Sequence, residues 1–309
     1  MAAASPGREP DQSPLHRTAP APGGWRTGEA ASGLALISPT LLYAAFLLLL
    51  PILIVFAYSF WTQDFLTIDH TFTLANYRAA LTEPIYLDLL GRSLINALSV
   101  SVLAVLMAYP LAYFISFYGG ASKNLWLFLI TVPCWTSYLL RIMSWKIVLG
   151  YNGVLNSGLM RLGLIDKPIE TLVYNSNAVI IALLHSWLAF AVLPIFVSLE
   201  KLDRSLIEAA HDLGDTAVQR FLRIILPLTL PGVTYAFLIV MIPTVGDYIT
   251  PKLIGGSDGV MIATAIQAQF GKAANWPLGA ALSITTMIAA SLLAGLVVLV
   301  GRRLVRALA

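Results

Sequence analysis

Charged side chains are scarce in this sequence. Asp, Glu, Lys and Arg together make up 11% of its 309 residues, whereas hydrophobic residues make up 58%, and the mean hydropathy is +0.79. This balance excludes an ordinary soluble globular domain, in which about a quarter of the residues are charged. The net charge of +3 is too small to indicate a nucleic-acid partner. The composition therefore predicts a protein that crosses a membrane several times.

The residues that build common catalytic and metal sites are also few. The single cysteine, Cys134, lies inside an apolar run, so an intrachain disulfide is excluded and packing is its expected role. The four histidines are isolated and show no metal-ligand spacing. The sequence has no glycine-rich phosphate-binding loop. We therefore expect no metal, no cofactor and no catalytic site on this chain, so that any ATP must be bound elsewhere.

Six apolar runs are long enough to cross a bilayer as helices. They predict an all-α integral membrane protein with spans at about residues 34–60, 93–117, 125–149, 177–199, 228–249 and 278–301. Pro231, Gly232, Pro243 and Gly246 predict a break or kink in the fifth span. Between the last two spans, residues 260–270 predict an interfacial or re-entrant helix.

The segments outside the spans divide the chain into four parts. Residues 1–33 are rich in Ala, Pro, Gly and Arg and predict a disordered tail, with a transit or signal peptide as the alternative. Residues 34–92 hold the first span and an outer loop. Residues 93–301 hold the five remaining spans, with the segment 200–227 between the fourth and the fifth. Residues 302–309 form a basic C-terminus.

The distribution of Lys and Arg predicts the orientation of the spans. One side of the membrane would carry the two termini, the turn after the second span and the segment 200–227, which together hold 11 Lys and Arg. The three loops on the other side hold six. Because cytoplasmic loops carry an excess of Lys and Arg, we expect both termini and the segment 200–227 to be cytoplasmic.

The segment 200–227 carries a spaced motif between two apolar runs. Its fixed positions are Glu208, Ala209, Ala210, Gly214, Ile224, Leu226 and Pro227. Ser205 with Glu208, and Thr216 with Gln219, have the spacing of capping boxes. Gly214 stands between them, where a helix end needs a residue that tolerates a positive φ.

The local prediction is a helix, a tight turn and a second helix, which Pro227 ends. On the first helix, apolar residues recur at helical spacing and predict a single apolar stripe, formed by Leu202, Leu206, Ala209, Ala210 and Leu213.

This motif resembles the EAA loop of permease subunits of bacterial ABC importers, and every fixed position of that pattern is matched. The resemblance implies a cytoplasmic helix-turn-helix loop whose short helix docks in a cleft on an ATPase subunit, where ATP and Mg²⁺ are bound. It also implies a pair of ATPase subunits, a second permease subunit and an extracytoplasmic solute-binding protein as partners. The alternative is an amphipathic loop on lipid headgroups, but five acidic against four basic residues suit a protein partner better.

One carboxylate, that of Asp247, falls at the edge of a predicted span. A charge there is costly and normally faces a cavity or a partner. We expect Asp247 to supply the charge of a cation site on the transport path, where aromatic rings can add cation–π contacts. The aromatic residues expected beside it are Tyr248, Trp135 and Tyr138. The alternative is an interfacial Asp that is hydrated or pairs with Arg141 or Lys146.

Two further stretches, residues 246–256 and 275–281, resemble the spermidine/putrescine branch of these permeases. The resemblance runs from about residue 34 to the C-terminus. It implies a multi-pass subunit of the bacterial inner membrane that moves a polyamine without changing it chemically. Relatives that carry other small solutes share similar stretches, so a different solute is the first alternative. A secondary transporter driven by an ion gradient is the second, although such proteins usually show ionisable residues in several spans and two related halves.

Overall fold

The computed structural model describes residues 27–64, 67–172 and 174–308. Its contacts divide the chain inside the first helix, into one unit that ends at Leu53 and a second that begins at Ile54. The helices, numbered in chain order, are α1 Thr27–Tyr58, α2 Ala75–Thr82, α3 Pro84–Tyr118, α4 Lys123–Thr131, α5 Tyr138–Leu149, α6 Val154–Arg161, α7 Ser176–Glu200, α8 Arg204–Asp212, α9 Ala217–Arg220, α10 Leu226–Val245, α11 Ile249–Ile254, α12 Ile262–Phe270 and α13 Trp276–Leu308.

The first unit contains the greater part of α1. Its large apolar side chains from Leu36 to Leu50 are exposed, as expected of a helix that lipid surrounds. Residues 1–26 of the predicted tail lie outside the described residues. Residues 27–33 were expected to be disordered, but they are helical, because they extend the long apolar helix by two turns.

Five helical stretches of the described chain are long and apolar enough to span a membrane: Leu36–Tyr58, Pro84–Tyr118, Ser176–Glu200, Ala217–Val245 and Trp276–Arg306. A sixth span exists if two shorter helical stretches, Gly120–Trp135 and Tyr138–Arg161, are counted as one. The predicted helical membrane architecture is thus confirmed, with five or six candidate spans.

The third span differs from the prediction of one continuous helix over residues 125–149. Its two halves meet at an angle of 87°. The helix α4 tightens into a 3₁₀ turn at Val132–Trp135, and the backbone of Thr136 is then extended before α5 begins. Pro133 is the physical reason, since proline has no N–H for a helical hydrogen bond and its ring clashes with the preceding turn.

The core of the second unit is built where α3, α7 and α10 pack together. The buried positions on these helices are mostly alanines, valines and isoleucines, such as Ala104, Ala182 and Ala236. Small residues let membrane helices approach closely. Gly232 of α10 is one such contact, because a Cβ there would clash with the side chain of Ser198 and the carbonyl of Pro194 on α7. This packing fixes the two ends of α10. The two candidate functional sites lie at those ends.

The second unit also contains a short hairpin and the helix α12. A short antiparallel hairpin pairs Thr62–Asp64 with Thr67–Asp69, and Gln63 lies opposite Ile68. The helix predicted over residues 260–270 is present as α12 and packs against α13. The predicted break in the fifth span is also present, since α10 ends at Val245 and α11 begins at Ile249.

Candidate functional site

The first half of the segment 200–227 is the helix α8, and Asp203 caps its start. The Asp203 carboxylate accepts a hydrogen bond of 2.9 Å from the backbone N–H of Ser205. Hydrogen bonds from the Ser205 side chain and backbone lower the pKa of Asp203. The expected capping box of Ser205 and Glu208 is therefore wrong. Ser205 already lies inside the helix, because an acidic side chain two residues earlier satisfies the free N–H groups.

A tight turn around Gly214 ends α8. The N–H of Gly214 donates to the carbonyl of His211 at 2.9 Å, and the N–H of Asp215 donates to the carbonyl of Ala210 at 3.0 Å. This pair of bonds is the Schellman arrangement, which needs a left-handed residue after the helix. Gly214 supplies it with φ of +90°. The turn predicted from the sequence is thus present.

The second half of the segment begins with the predicted capping box. The backbone N–H of Thr216 donates to Oε1 of Gln219 at 2.8 Å, and the Gln219 N–H donates to the Thr216 hydroxyl at 3.4 Å. The helix then continues through a π-helical turn at Phe221–Ile225 into α10, so that Ala217–Val245 is one helix. Pro227 was expected to end this helix, but it lies in the first turn of α10. The wider π-helical turn before it accommodates the proline ring.

The motif residues after the turn are all at least partly buried in this continuous helix. Pro227 is buried, whereas Ile224 and Leu226 are partly buried. They hold the start of α10 against the core, where the adjoining Ile225 is 3% exposed. Because these positions are buried or partly buried, their role is to hold the long helix in place.

The helix α8 has two apolar faces rather than the single stripe that the spacing predicted. Ile207 and Ala210 face the core, and Ala210 is 6% exposed. Leu206 and Leu213 face outward, and Leu213 is 88% exposed. Ala209 is exposed on the same outward side, and Glu208 is exposed as well. Exposed apolar residues on a helix that already packs inward indicate a surface for a partner.

Charged groups outside the motif anchor the segment to two other helices. Glu200, the last residue of α7, accepts hydrogen bonds from Ser116 at 2.6 Å and from Lys123 at 2.7 Å. Arg204 donates to the carbonyl of Ser116 at 3.3 Å, and its guanidinium lies 5.6 Å from the Phe117 ring centre. No local sequence pattern indicates this cluster, because Glu200 lies more than 75 residues from both of its partners.

At the opposite end of α10, the Asp247 carboxylate occupies the break before α11. It is 9% exposed, and four donors surround it. Its Oδ2 accepts hydrogen bonds of 2.5 Å from the hydroxyls of Tyr138 and Thr250. Its Oδ1 accepts the backbone N–H of Ile249 at 2.9 Å and that of Thr250 at 3.4 Å. These donors offset the cost of burying the carboxylate.

Asp247 borders a cavity of about 460 Å³. The cavity is lined by Cys134, Thr136, Tyr138, Arg141, Ser186, Trp187, Phe190, Pro243, Gly246, Asp247, Tyr248 and Ile249. Aromatic rings and one carboxylate thus share one concave surface, which is the usual composition of a small-molecule site.

Arg141 adds a positive charge to the same cavity. Its guanidinium donates to the carbonyls of Ser186 at 3.2 Å and Thr136 at 3.1 Å. Within the described part of the chain, no ion pair includes Asp247, so the alternative pairing with Arg141 or Lys146 is absent. Arg141 Nε and Trp187 Nε1 are buried and have no hydrogen-bond partner among the described residues. The cavity lining itself thus combines the Asp247 carboxylate with the Arg141 side chain.

The structure brings together two of the three aromatic residues expected beside Asp247. Tyr138 donates to its carboxylate, and Tyr248 lines the cavity while it is 41% exposed. Trp135 does not line the cavity. It is 77% exposed and its ring packs edge-on against Phe128, because the break after it turns the chain away from Asp247.

Two residues of this site were missed from the sequence. Thr250 stands three residues after Asp247 at the start of a helix, and that capping distance could have indicated it. Trp187 approaches from α7 and left no local signal, since only tertiary packing brings it to the cavity.

Comparison with known proteins agrees with this architecture. Residues 31–309 match the family described as the inner membrane component of binding-protein-dependent transport systems. The chain is 42% identical over 245 residues to the spermidine/putrescine transport system permease protein PotB of Salmonella typhimurium, covering 79% of this chain and 85% of that protein. It is 41% identical to PotB of Escherichia coli, covering 79% and 88%.

A solved structure shows the same fold. A bacterial ABC transporter that imports the acidic polysaccharide alginate contains a chain that superposes with a TM-score of 0.66 at 17% identity, covering 89% of this chain and 96% of that one. Such low identity bears on the fold alone. The family match covers nearly all of the described residues, and the chain therefore belongs to the family of inner membrane components of binding-protein-dependent transport systems.

Proposed function

We propose that this chain is the permease subunit of an ATP-driven importer of polyamines, with spermidine and putrescine as solutes. The observation that carries the proposal is the identity of more than 40% with two permeases named for spermidine and putrescine, over 79% of the chain. It is a transport subunit, so it changes no bond in the solute, and ATP hydrolysis takes place on a partner.

The Asp247 cavity has the chemistry that a polyamine requires. A protonated amine is a charged donor, and it binds a carboxylate more strongly than a neutral hydroxyl does. An ammonium group entering the cavity can therefore replace the Tyr138 hydroxyl at Oδ2 of Asp247. The rings of Tyr138, Tyr248 and Trp187 can face the methylene chain and the ammonium groups.

The segment 200–227 is proposed to be the contact with the ATPase. Leu206, Ala209 and Leu213 form its outward apolar ridge, which can enter a cleft on a subunit that binds ATP and Mg²⁺. A displacement of α8 would reach α3 through the hydrogen bond of Arg204 to the Ser116 carbonyl. The motif positions then have separate tasks. Glu208, Ala209 and Ala210 form the docking helix, Gly214 forms its turn, and Ile224, Leu226 and Pro227 seat the next helix.

A single helix links this contact to the cavity. It runs over the 29 residues Ala217–Val245, a length of about 43 Å, and Asp247 follows two residues after its end. A rigid element that has one end at each site can pass movement between them without a chain of small rearrangements. This continuity supports the assignment of the two sites to one transport cycle.

The proposed assembly contains two permease subunits, two ATPase subunits and an extracytoplasmic solute-binding protein. The excess of Lys and Arg favours a cytoplasmic position for both termini and for the segment 200–227. In this arrangement the Asp247 cavity lies toward the side from which the binding protein delivers the solute. Residues 93–301 form the permease core, 34–92 the first span with its outer loop, and 302–309 the basic C-terminus.

One observation favours a different solute. Arg141 lines the cavity, and its guanidinium can bind an acceptor, such as the carboxylate of a zwitterion. A second candidate is therefore the same permease role for a small zwitterionic solute, in which Arg141 and Asp247 bind opposite ends of the molecule.

Solute uptake into proteoliposomes separates these possibilities. The complete complex is reconstituted with its binding protein outside and ATP inside, and labelled spermidine, putrescine, an amino acid and a neutral sugar are offered in turn. The proposal expects uptake of the two polyamines only, and only with hydrolysable ATP. Uptake of the amino acid alone would support the zwitterion, and uptake driven by an ion gradient without ATP would contradict an ATP-driven importer.

A further inference from the structure

A second cavity opens between α10 and α13, away from Asp247. Its volume is about 520 Å³. Its lining residues are Pro231, Thr234, Tyr235, Leu238, Val298, Gly301, Arg302, Val305 and Arg306. Apolar side chains thus form the deep part, whereas two arginines stand at one end of the cavity. We refer to it as the α10–α13 groove.

The two helices meet closely beside this groove. A Cβ added at Gly301 would lie 2.6 Å from Oγ1 of Thr234, so the backbones approach at that point. The groove therefore has a fixed floor of small residues rather than a gap between loosely packed helices. Its position is also fixed along the membrane axis, because α10 begins at the same end of the bundle at which α13 finishes.

The charged residues that line the groove are all positive. Neither α10 nor α13 contains an acidic residue. Arg302 and Arg306 are exposed, and in the part of the chain that the structure describes neither takes part in an ion pair. The apolar run of α13 ends at about residue 301, so these two guanidinium groups stand where a span leaves the hydrocarbon and reaches the phosphate level.

We propose that the α10–α13 groove binds an anionic phospholipid. The phosphate lies between Arg302 and Arg306, and one acyl chain extends past the Tyr235 ring along Leu238 and Val298. Guanidinium groups bind phosphate through paired N–H donors, and basic pockets between transmembrane helices suit anionic headgroups. A free phosphate ion would leave the apolar part of the groove unfilled, whereas an amphiphile fits both parts. The site is independent of the solute carried.

Because of where the groove lies, a bound lipid is also expected to affect function. It opens at the membrane face from which the segment 200–227 projects, since that segment leads directly into α10. A lipid that holds α10 against α13 would stabilise the end of the helix that the ATPase is proposed to move. The lipid is therefore expected to affect the ATPase rate as well as to bind.

The test compares three single variants of the full complex: R302Q, R306Q and R303Q. Arg303 is the matched control, because it is exposed on the same turn but does not line the groove. A fourth variant, V298W, fills the groove and leaves every arginine in place. Each complex is purified, and the binding of phosphatidylglycerol and phosphatidylcholine is measured by native mass spectrometry, with inorganic phosphate as a competitor.

The proposal expects phosphatidylglycerol affinity to fall about fivefold in R302Q and in R306Q, since each arginine near an anionic surface contributes about that factor. V298W should lose the bound lipid, R303Q should bind like the unmodified complex, and phosphate should compete weakly. Equal losses in all three arginine variants would overturn the proposal in favour of a diffuse surface charge. Equal binding of phosphatidylcholine, strong competition by phosphate, or full binding by V298W would also contradict it.

Discussion

The segment 200–227 and the Asp247 cavity lie at opposite ends of the same helix, but different contacts hold them in place. In the segment, the main hydrogen bonds join residues close in sequence, such as Asp203 with Ser205 and Thr216 with Gln219. In the cavity, Tyr138 and Asp247 are 109 residues apart, and Arg141 and Ser186 are 45 apart. One site is shaped by local helix-end rules and the other by the packing of the bundle.

This difference matches the tasks proposed for the two regions. A docking surface must keep its shape while it moves as a unit, and capped helices joined by a fixed turn can do that. A solute site must exchange partners, and hydroxyls from separate helices around a carboxylate can be displaced one at a time. We therefore expect shape to matter in the first region and charge in the second.

The largest effect is expected for Gly214→Val. A β-branched residue is strained at φ of +90°, at a cost of about 1–3 kcal/mol, whereas the space around a Cβ at this position is open. The variant should insert into the membrane normally but lose ATP-dependent uptake, measured in proteoliposomes. Gly214→Asn is the matched control, because Asn tolerates the left-handed conformation. Normal uptake by the valine variant would contradict the role given to the turn.

A smaller effect is expected for Asp247→Asn, which keeps the shape of the side chain and removes its charge. Hydrogen bonds to a charged group contribute about 1.5–3 kcal/mol, so the KM for spermidine uptake should rise by about tenfold or more. Asp258→Asn removes a charge from an exposed loop residue and should leave KM unchanged. A KM that responds equally to both changes would show that only the overall charge matters.

The helix caps of the segment 200–227 are expected to have smaller effects. Thr216→Ala removes a capping hydroxyl and should cost about 1 kcal/mol, so the amides at the start of α9 should exchange hydrogen about fivefold faster. Ser205→Ala should have less effect on the start of α8, because Asp203 remains as the cap. Hydrogen-exchange mass spectrometry measures both. If hydrogen exchange became equally faster in the two variants, the result would support the capping box that the sequence predicted at Ser205.

The smallest effect is expected where the segment meets the bundle. Lys123 and Glu200 form an ion pair of 2.7 Å whose side chains are 23% and 35% exposed. The variants Lys123→Met and Glu200→Gln, alone and together, should show an interaction of about 0.5 kcal/mol in the free energy of unfolding. High salt should weaken it. Strict additivity of the two changes would indicate that Glu200 is held by Ser116 alone.

The sequence predicted the parts of the molecule that local rules decide. The turn at Gly214, the cap at Thr216 and the break after Val245 follow from residues that stand beside them. The errors at Ser205 and Pro227 are also local. Asp203 caps α8 two residues before Ser205, and the wider π-helical turn before Pro227 lets the helix continue.

The features that could not be predicted from the sequence depend on long-range packing. The bend in the third span is signalled by Pro133, but its angle of 87° is not, and that angle decides which side chains reach Asp247. It brings Tyr138 to the carboxylate and leaves Trp135 exposed. Composition and spacing could name candidates on this span, whereas only the arrangement of α5, α7 and α11 selects among them.

Coupling through the segment 200–227 can be measured as the ATPase rate of the reconstituted complex with empty and with spermidine-loaded binding protein, for the unmodified chain and for Gly214→Val. We expect stimulation by the loaded protein in the unmodified complex and no stimulation in the variant, although the variant still binds its ATPase partner. Equal stimulation of both complexes would contradict the proposed coupling through the segment 200–227, and stimulation by another solute but not by spermidine would contradict the polyamine assignment.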